Sequence, residues 1–194
     1  MSKIKNMFSS SAAELTKVRV LTVCAMLAAL AIVLQYVASI NIGPYIKIGF
    51  SGIPNQIVDL LFGPITGGLF AGVMDIVKFM LKPEGTFDFR YTLVAMLAAF
   101  IYGCFYYKRP ISIVRIFIAK FVIMVVVNLG LNTYLLSTYV GKGFLAILPP
   151  RILKNVIMWP IESIIFFLIV TAIEKTGVMN TFMAPAKKKV AVNE

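Results

Sequence analysis

The amino-acid sequence predicts an all-α membrane protein of six transmembrane helices with both termini cytoplasmic, and three observations predict it. The chain of 194 residues is 60% hydrophobic and only 14% charged, with a mean hydropathy of +0.91, a balance that a water-soluble domain with a polar surface does not reach. Its apolar residues gather in long runs, and at roughly 20 residues per crossing of ~30 Å of hydrocarbon there is room for about six crossings. Five would require one very long loop. The third observation is the distribution of Lys and Arg in the short flanks. Eleven lie on the side holding both termini, seven on the other (Lys47, Lys78, Lys82, Arg90, Lys142, Arg151 and Lys154), and Lys120 lies in the membrane. That bias places the termini inside.

Taken in order, residues 1–19 form a polar cytoplasmic tail, 20–175 the integral domain and 176–194, with "AKKKVAVNE", a basic cytoplasmic tail. The first tail has no small-residue cleavage site, so it is not read as a signal peptide. The first crossing runs from about Val20 to Ile40. The polar-edged segment "NIGPYIKIGF" leads into two short helices, divided at Gly63-Pro64 and Gly67-Gly68 and packed closely through Gly and Ala. The polar connection "KPEGTFDFR", from Lys82 to Arg90, precedes a fourth run, Tyr91 to Tyr107. A fifth run spans about Ile113 to Leu136 and contains Lys120, Asn128 and Asn132. The sixth opens with "PPRILKNVIMWPIES" and continues to Lys175.

The polar residues inside these runs carry the functional reading. Arg151, Asn155, Trp159 and Glu162 recur at intervals of four, four and three, which sets them on one helical stripe that should face protein or water. Asn128 and Asn132 lie one turn apart in the fifth run, and an amide in hydrocarbon needs a partner. Plain interhelical bonding among Asn128, Asn132 and Asn155 answers that need as well as ligand contact does. It does not account for Arg151. Arg90 can grip a carboxylate by two parallel hydrogen bonds, or else pair with Asp88 or Glu84. Phe87, Phe89 and Trp159 offer flat apolar faces to a heteroaromatic ring, with an interfacial belt as the alternative. Outer cations beyond what topology requires suit an anionic ligand taken from outside. Anchoring to lipid phosphates serves equally for Lys47, Lys78 and Lys142, and Lys154 can snorkel too. Asp75 and Lys78 are expected to pair at i, i+3. Ala25 and Ala29 form a small-x-x-x-small pattern, as do glycines and alanines around Gly67, where close internal packing explains it.

Several functions are excluded. There is no His, and Cys24 and Cys104 both lie in apolar runs, so neither a zinc site nor a disulfide framework is expected. No G-x-x-x-x-G-K-[ST] loop is present, so any ATP hydrolysis must come from a partner. No nucleophile has a base beside it, and no cofactor, metal or nucleic-acid partner is expected.

The stretches "IKIGFSGIPNQIVDLLFGPITGG", "DIVKFMLKPEG", "FRYTLVAMLAAFIYG", "NLGLNTYLLS" and "GKGFLAILPPRILKNVIMWPIES" resemble the small six-helix S components of energy-coupling factor (ECF) vitamin transporters, a class of ABC transporter, and among them the folate type. The resemblance covers about Val20 to Lys175. It implies a subunit of the bacterial cell membrane that captures a vitamin outside and docks on a transmembrane T component driven by two ATPase subunits. It implies that Ala25 and Ala29 form the coupling surface for the T component. It also implies a site in the outer half, with Arg90, Asn128, Asn132, Arg151, Lys154 and Asn155 near the vitamin and the "IGPYIKIGF" and "KPEGTFDF" loops as lids; Trp159 and Phe89 join them as the candidate aromatic faces. Folate suits this inventory, its glutamate carboxylates matching the cations and its pterin the amides and aromatic faces. Pantothenate or another B vitamin is the first alternative; a stand-alone secondary transporter is the second, although no inverted repeat of broken helices is found.

Overall fold

The computed structural model describes residues 8–12, 14–42, 46–83, 87–141 and 143–177. Within them five helices are long and apolar enough to cross a membrane. Helix α1 is Val18–Val37, strands β1 (Ser39–Ile42) and β2 (Ile46–Gly49) pair antiparallel, α2 is Ile53–Leu81 and α3 is Phe89–Tyr106. Helix α4 (Ile113–Ile123) passes through a π-helical stretch, Met124–Leu131, into α5 (Asn132–Val140) as one span. Helix α6 is Phe144–Lys175. Lys3, Lys5, Glu84, Lys142 and the basic tail with Lys187, Lys188 and Lys189 lie outside the described residues, as do the centres of both proposed lid loops, 43–45 and 84–86.

The hairpin is the one departure from an all-helical chain among the described residues, and it replaces the polar-edged segment expected there. Ile40 faces Ile48 and Asn41 faces Lys47 in its register. The cause is written locally. "SINI" and "IKIG" alternate apolar and polar residues around a Gly-Pro turn signal, a period of two that a helix cannot use.

Helix α2 is broken at a single point. Gly63 has φ 87° and ψ −175°, a backbone region open essentially to glycine, and Pro64 then starts the second half with the pre-set φ and absent N–H of a first helical residue. The expected second division at Gly67-Gly68 does not occur, because both residues continue the helix. Gly67 is small because a neighbour presses on it: a Cβ there would collide with the Asp59 side chain. A glycine has no side chain to cap the N–H groups that such a break exposes. Ser11, fully buried, does so from the N-terminal segment: its Oγ accepts from the N–H of Ile65 at 3.1 Å and of Thr66 at 3.2 Å and donates to the Phe62 carbonyl at 2.7 Å. Thr66 Oγ1 returns a bond to the Ser11 carbonyl at 2.7 Å, and Phe8 stacks on Phe100 at 5.5 Å. Part of the polar N-terminal stretch is therefore built into the fold.

Helix α2 buries 78% of its most apolar stretch against protein, whereas α1 buries 17%; α2 is thus the centre and α1 a peripheral helix. Phe62, Ile57 and Val58 of α2 meet Tyr102 and Tyr106 of α3 and Phe166 of α6 in the core. The Tyr106 ring stacks on Tyr102 at 5.5 Å and on Phe166 at 5.4 Å. Gly103 of α3 lets the two backbones approach, since a Cβ there would lie 2.5 Å from Pro64 Cα.

Candidate functional site

The polar stripe of α6 faces the α4–α5 span along its length, so the two predicted stripes meet. Three sets of contacts join them. At the first, Arg151 Nη2 donates to the Asn128 carbonyl at 3.4 Å, Asn132 Nδ2 reaches Asn128 Oδ1 at 3.4 Å, and Asn155, buried, donates to the Arg151 carbonyl at 2.8 Å. At the second, Trp159 Nε1 donates to the Phe117 carbonyl at 3.0 Å, and the indole stands edge-on to Phe117 with ring centres 5.4 Å apart. At the third, Lys120, 3% exposed, meets Glu162 at 3.4 Å and lies over the Phe166 ring at 5.5 Å. The pair, with Lys120 buried and Glu162 partly exposed, satisfies two charges that hydrocarbon would otherwise penalise.

The π-helical stretch accounts for the first set. Asn132 sends its N–H five residues back, to the Val127 carbonyl, and the α-helix that resumes behind it bonds four residues back. The Asn128 carbonyl falls between the two patterns and takes side-chain donors instead: Thr133 Oγ1 at 2.9 Å and Arg151 Nη2. Arg151 is then fixed through one nitrogen while its Nε is buried and has no hydrogen-bond partner among the described residues. A guanidinium held this way can present its remaining donors to an acceptor that arrives from elsewhere. Lys154, half-buried, makes no ion pair among the described residues.

The structure does not bring Arg90 into hydrogen-bond contact with this cluster. It takes the sequence's alternative: Arg90 Nη2 lies 2.7 Å from Asp88 Oδ2, its Nε is 2.9 Å from the same oxygen, and its side chain is 56% exposed. The Arg90 side-chain hydrogen bonds, aided by its backbone N–H, hold the Asp88 carboxyl below the usual carboxylate range. Asp88 thereby also caps α3. Phe89 is exposed, and Phe87 tilts against Phe79 at 5.1 Å. Asp75 and Lys78 do not pair with each other: Asp75 accepts from Thr92 at 2.8 Å and Lys78 donates to the Ser51 carbonyl at 2.9 Å. The i, i+3 neighbours each find a better-placed partner on the next element.

Ala25 and Ala29 are both exposed on α1, beside Leu21 and Met26, which are 54% and 68% exposed. Close approach by another helix is open to that face. Sequence reasoning did not single out Thr133 or Asp59. The acid in "QIVDLLF" was a readable signal: it is 1% exposed, and neither carboxylate oxygen has a hydrogen-bond partner among the described residues. Thr133 left no such mark.

Comparison with known proteins agrees with this architecture. The family model for the substrate-specific component of ECF transporters matches residues 19–170. A protein of Clostridium novyi (strain NT) named folate transporter FolT is 34% identical over 164 residues, covering 84% of this chain and 95% of its own. Another of that name from Leuconostoc mesenteroides subsp. mesenteroides is 30% identical over 153 residues, covering 75% and 81%. Among solved structures, FolT bound with folic acid superposes with a TM-score of 0.73 at 30% identity, over 79% of this chain and 93% of that one.

Proposed function

The chain belongs to the substrate-specific components of ECF transporters, multi-pass membrane proteins of a transport system and not enzymes, and we propose that folate is its substrate. The observation that carries this reading is the partly unsatisfied Arg151 guanidinium beside the Asn128–Asn132 amides, in a fold shared with a FolT bound with folic acid. Arg151 and Lys154 receive the glutamate carboxylates of folate. Asn128, Asn132 and Asn155 read the hydrogen-bonding edge of the pterin, whose donors and acceptors alternate as an amide's do. Trp159, held by its N–H, supplies an apolar wall, and Phe89 closes it. Arg90, exposed at the start of α3, makes the first encounter with the anion and exchanges Asp88 for it.

In this reading the chain crosses the bacterial cell membrane six times, the break at Gly63 serving as the cytoplasmic turn between two halves of α2, with both termini inside. It binds without ATP, then docks through Ala25 and Ala29 on a T component whose two ATPase subunits hydrolyse the nucleotide. Isothermal titration of the purified protein alone, with folate and then with pantothenate, tests the reading. Heat with folate only is expected. Binding of pantothenate instead would keep the family and replace the substrate.

A further inference from the structure

We infer that Thr133 is a positioning residue of the site: its hydroxyl holds the Asn128 carbonyl released by the π-helical stretch, and that carbonyl in turn sets the Arg151 fork toward the carboxylates of the ligand. The inference rests on the folate reading and deepens it.

A threonine inside an α-helix ordinarily returns its hydroxyl to the carbonyl four residues back. Thr133 bonds instead five residues back, to Asn128, at 2.9 Å. The extra residue is the one that the π stretch Met124–Leu131 inserts. A π segment is a rare arrangement found often at functional positions, and here it ends two residues before a threonine that is 0% exposed. A carbonyl has two lone pairs, and the Asn128 oxygen uses them for Thr133 Oγ1 and Arg151 Nη2. In hydrocarbon no water replaces a missing donor. Without the hydroxyl, the oxygen draws the guanidinium closer to the backbone and away from the ligand. Thr133 itself is enclosed and touches no ligand, so its effect reaches the vitamin only through Arg151.

That route makes a prediction a merely structural role does not. Arg151 serves the carboxylate end of folate, so 6-methylpterin, which keeps the pterin ring and carries no carboxylate, should be indifferent to Thr133. The experiment titrates folate and 6-methylpterin into the intact protein and into Thr133→Val, which keeps the shape and removes the hydroxyl, with Thr133→Ser restoring it. Thr133→Val is expected to weaken folate by about tenfold, leave 6-methylpterin unchanged and recover with Thr133→Ser. If Thr133→Val does not fold, Thr133→Ala, smaller and free of any clash, takes its place. Equal loss for both ligands, or no loss for folate, overturns the inference while leaving folate as the substrate. A wild-type protein that binds neither ligand overturns the folate reading itself, and this inference with it.

Discussion

Gly103→Ala tests the closest packing contact of the fold. The added Cβ would sit 2.5 Å from Pro64 Cα, 2.6 Å from Pro64 N and 2.9 Å from Pro64 Cβ, where carbon atoms rest at about 3.5–4.0 Å. Relief requires α3 and the break in α2 to separate by about 1 Å. Neither side is free to give. Ser11 bonds to Phe62, Ile65 and Thr66 around the break, and Gly63 already lies so near the Tyr107 ring that a Cβ there would be 2.9 Å from it. Overpacking costs about 1–3 kcal/mol, and a backbone obstacle places this case near the top, at about 3 kcal/mol. The better helix propensity of Ala returns about 1 kcal/mol. A net loss of about 2 kcal/mol in a chain of this size lowers Tm by about 4–8 °C. Trp159 is the sole tryptophan, so a fluorescence melt in detergent reads the change directly. Gly68→Ala is the control: its Cβ would meet the Met96 carbonyl at an ordinary 3.6 Å, and its Tm should hold or rise. A Gly103→Ala protein that melts no lower than Gly68→Ala would refute the packing argument.

Three further outcomes are expected. Arg151→Ala should weaken folate binding by roughly 30-fold or more, as loss of one partner from a buried charge pair does, and titration should find a smaller loss for Arg90→Ala because that side chain is exposed and occupied by Asp88. Ala25→Trp or Ala29→Trp should abolish folate uptake in cells carrying the energising subunits yet spare binding by the purified protein; retained uptake would remove α1 from the coupling surface. Ser11→Ala should cost roughly 1–3 kcal/mol by leaving the Phe62 carbonyl and the Ile65 and Thr66 N–H groups unpaired, lowering Tm without changing folate affinity in the folded protein.

Long apolar runs made the spans legible, because a helix in hydrocarbon must advertise its length in composition. The break at Gly63-Pro64 was legible for a similar reason: the pair joins the residue that tolerates positive φ to one that cannot donate within a helix. Gly67-Gly68 carried the same letters with a different cause. There Gly67 answers to Asp59 across space, and no local pattern separates a glycine that bends from one that makes room. Ser11 was illegible on the same ground. A serine in a polar tail looks solvated, and only the exposed N–H groups at positions 65 and 66, more than fifty residues on, make it a cap.

The site divides along the same line. The stripe Arg151–Asn155–Trp159–Glu162 was readable as spacing, since α6 keeps a period of 3.6 through its prolines and brings Arg151, Trp159 and Glu162 onto α4–α5. What spacing could not give is the register on the other side. A helical reading places Thr133 over Leu129, and one inserted residue moves it to Asn128 without altering the apolar pattern that a periodicity search detects. That slip decides the chemistry, because it turns a carbonyl that an α-helix would have consumed into the acceptor that holds Arg151. Membrane proteins are open to this kind of device: each backbone group must find a donor inside the protein, so a carbonyl freed from the ladder becomes a fixed point from which a charged side chain can be aimed.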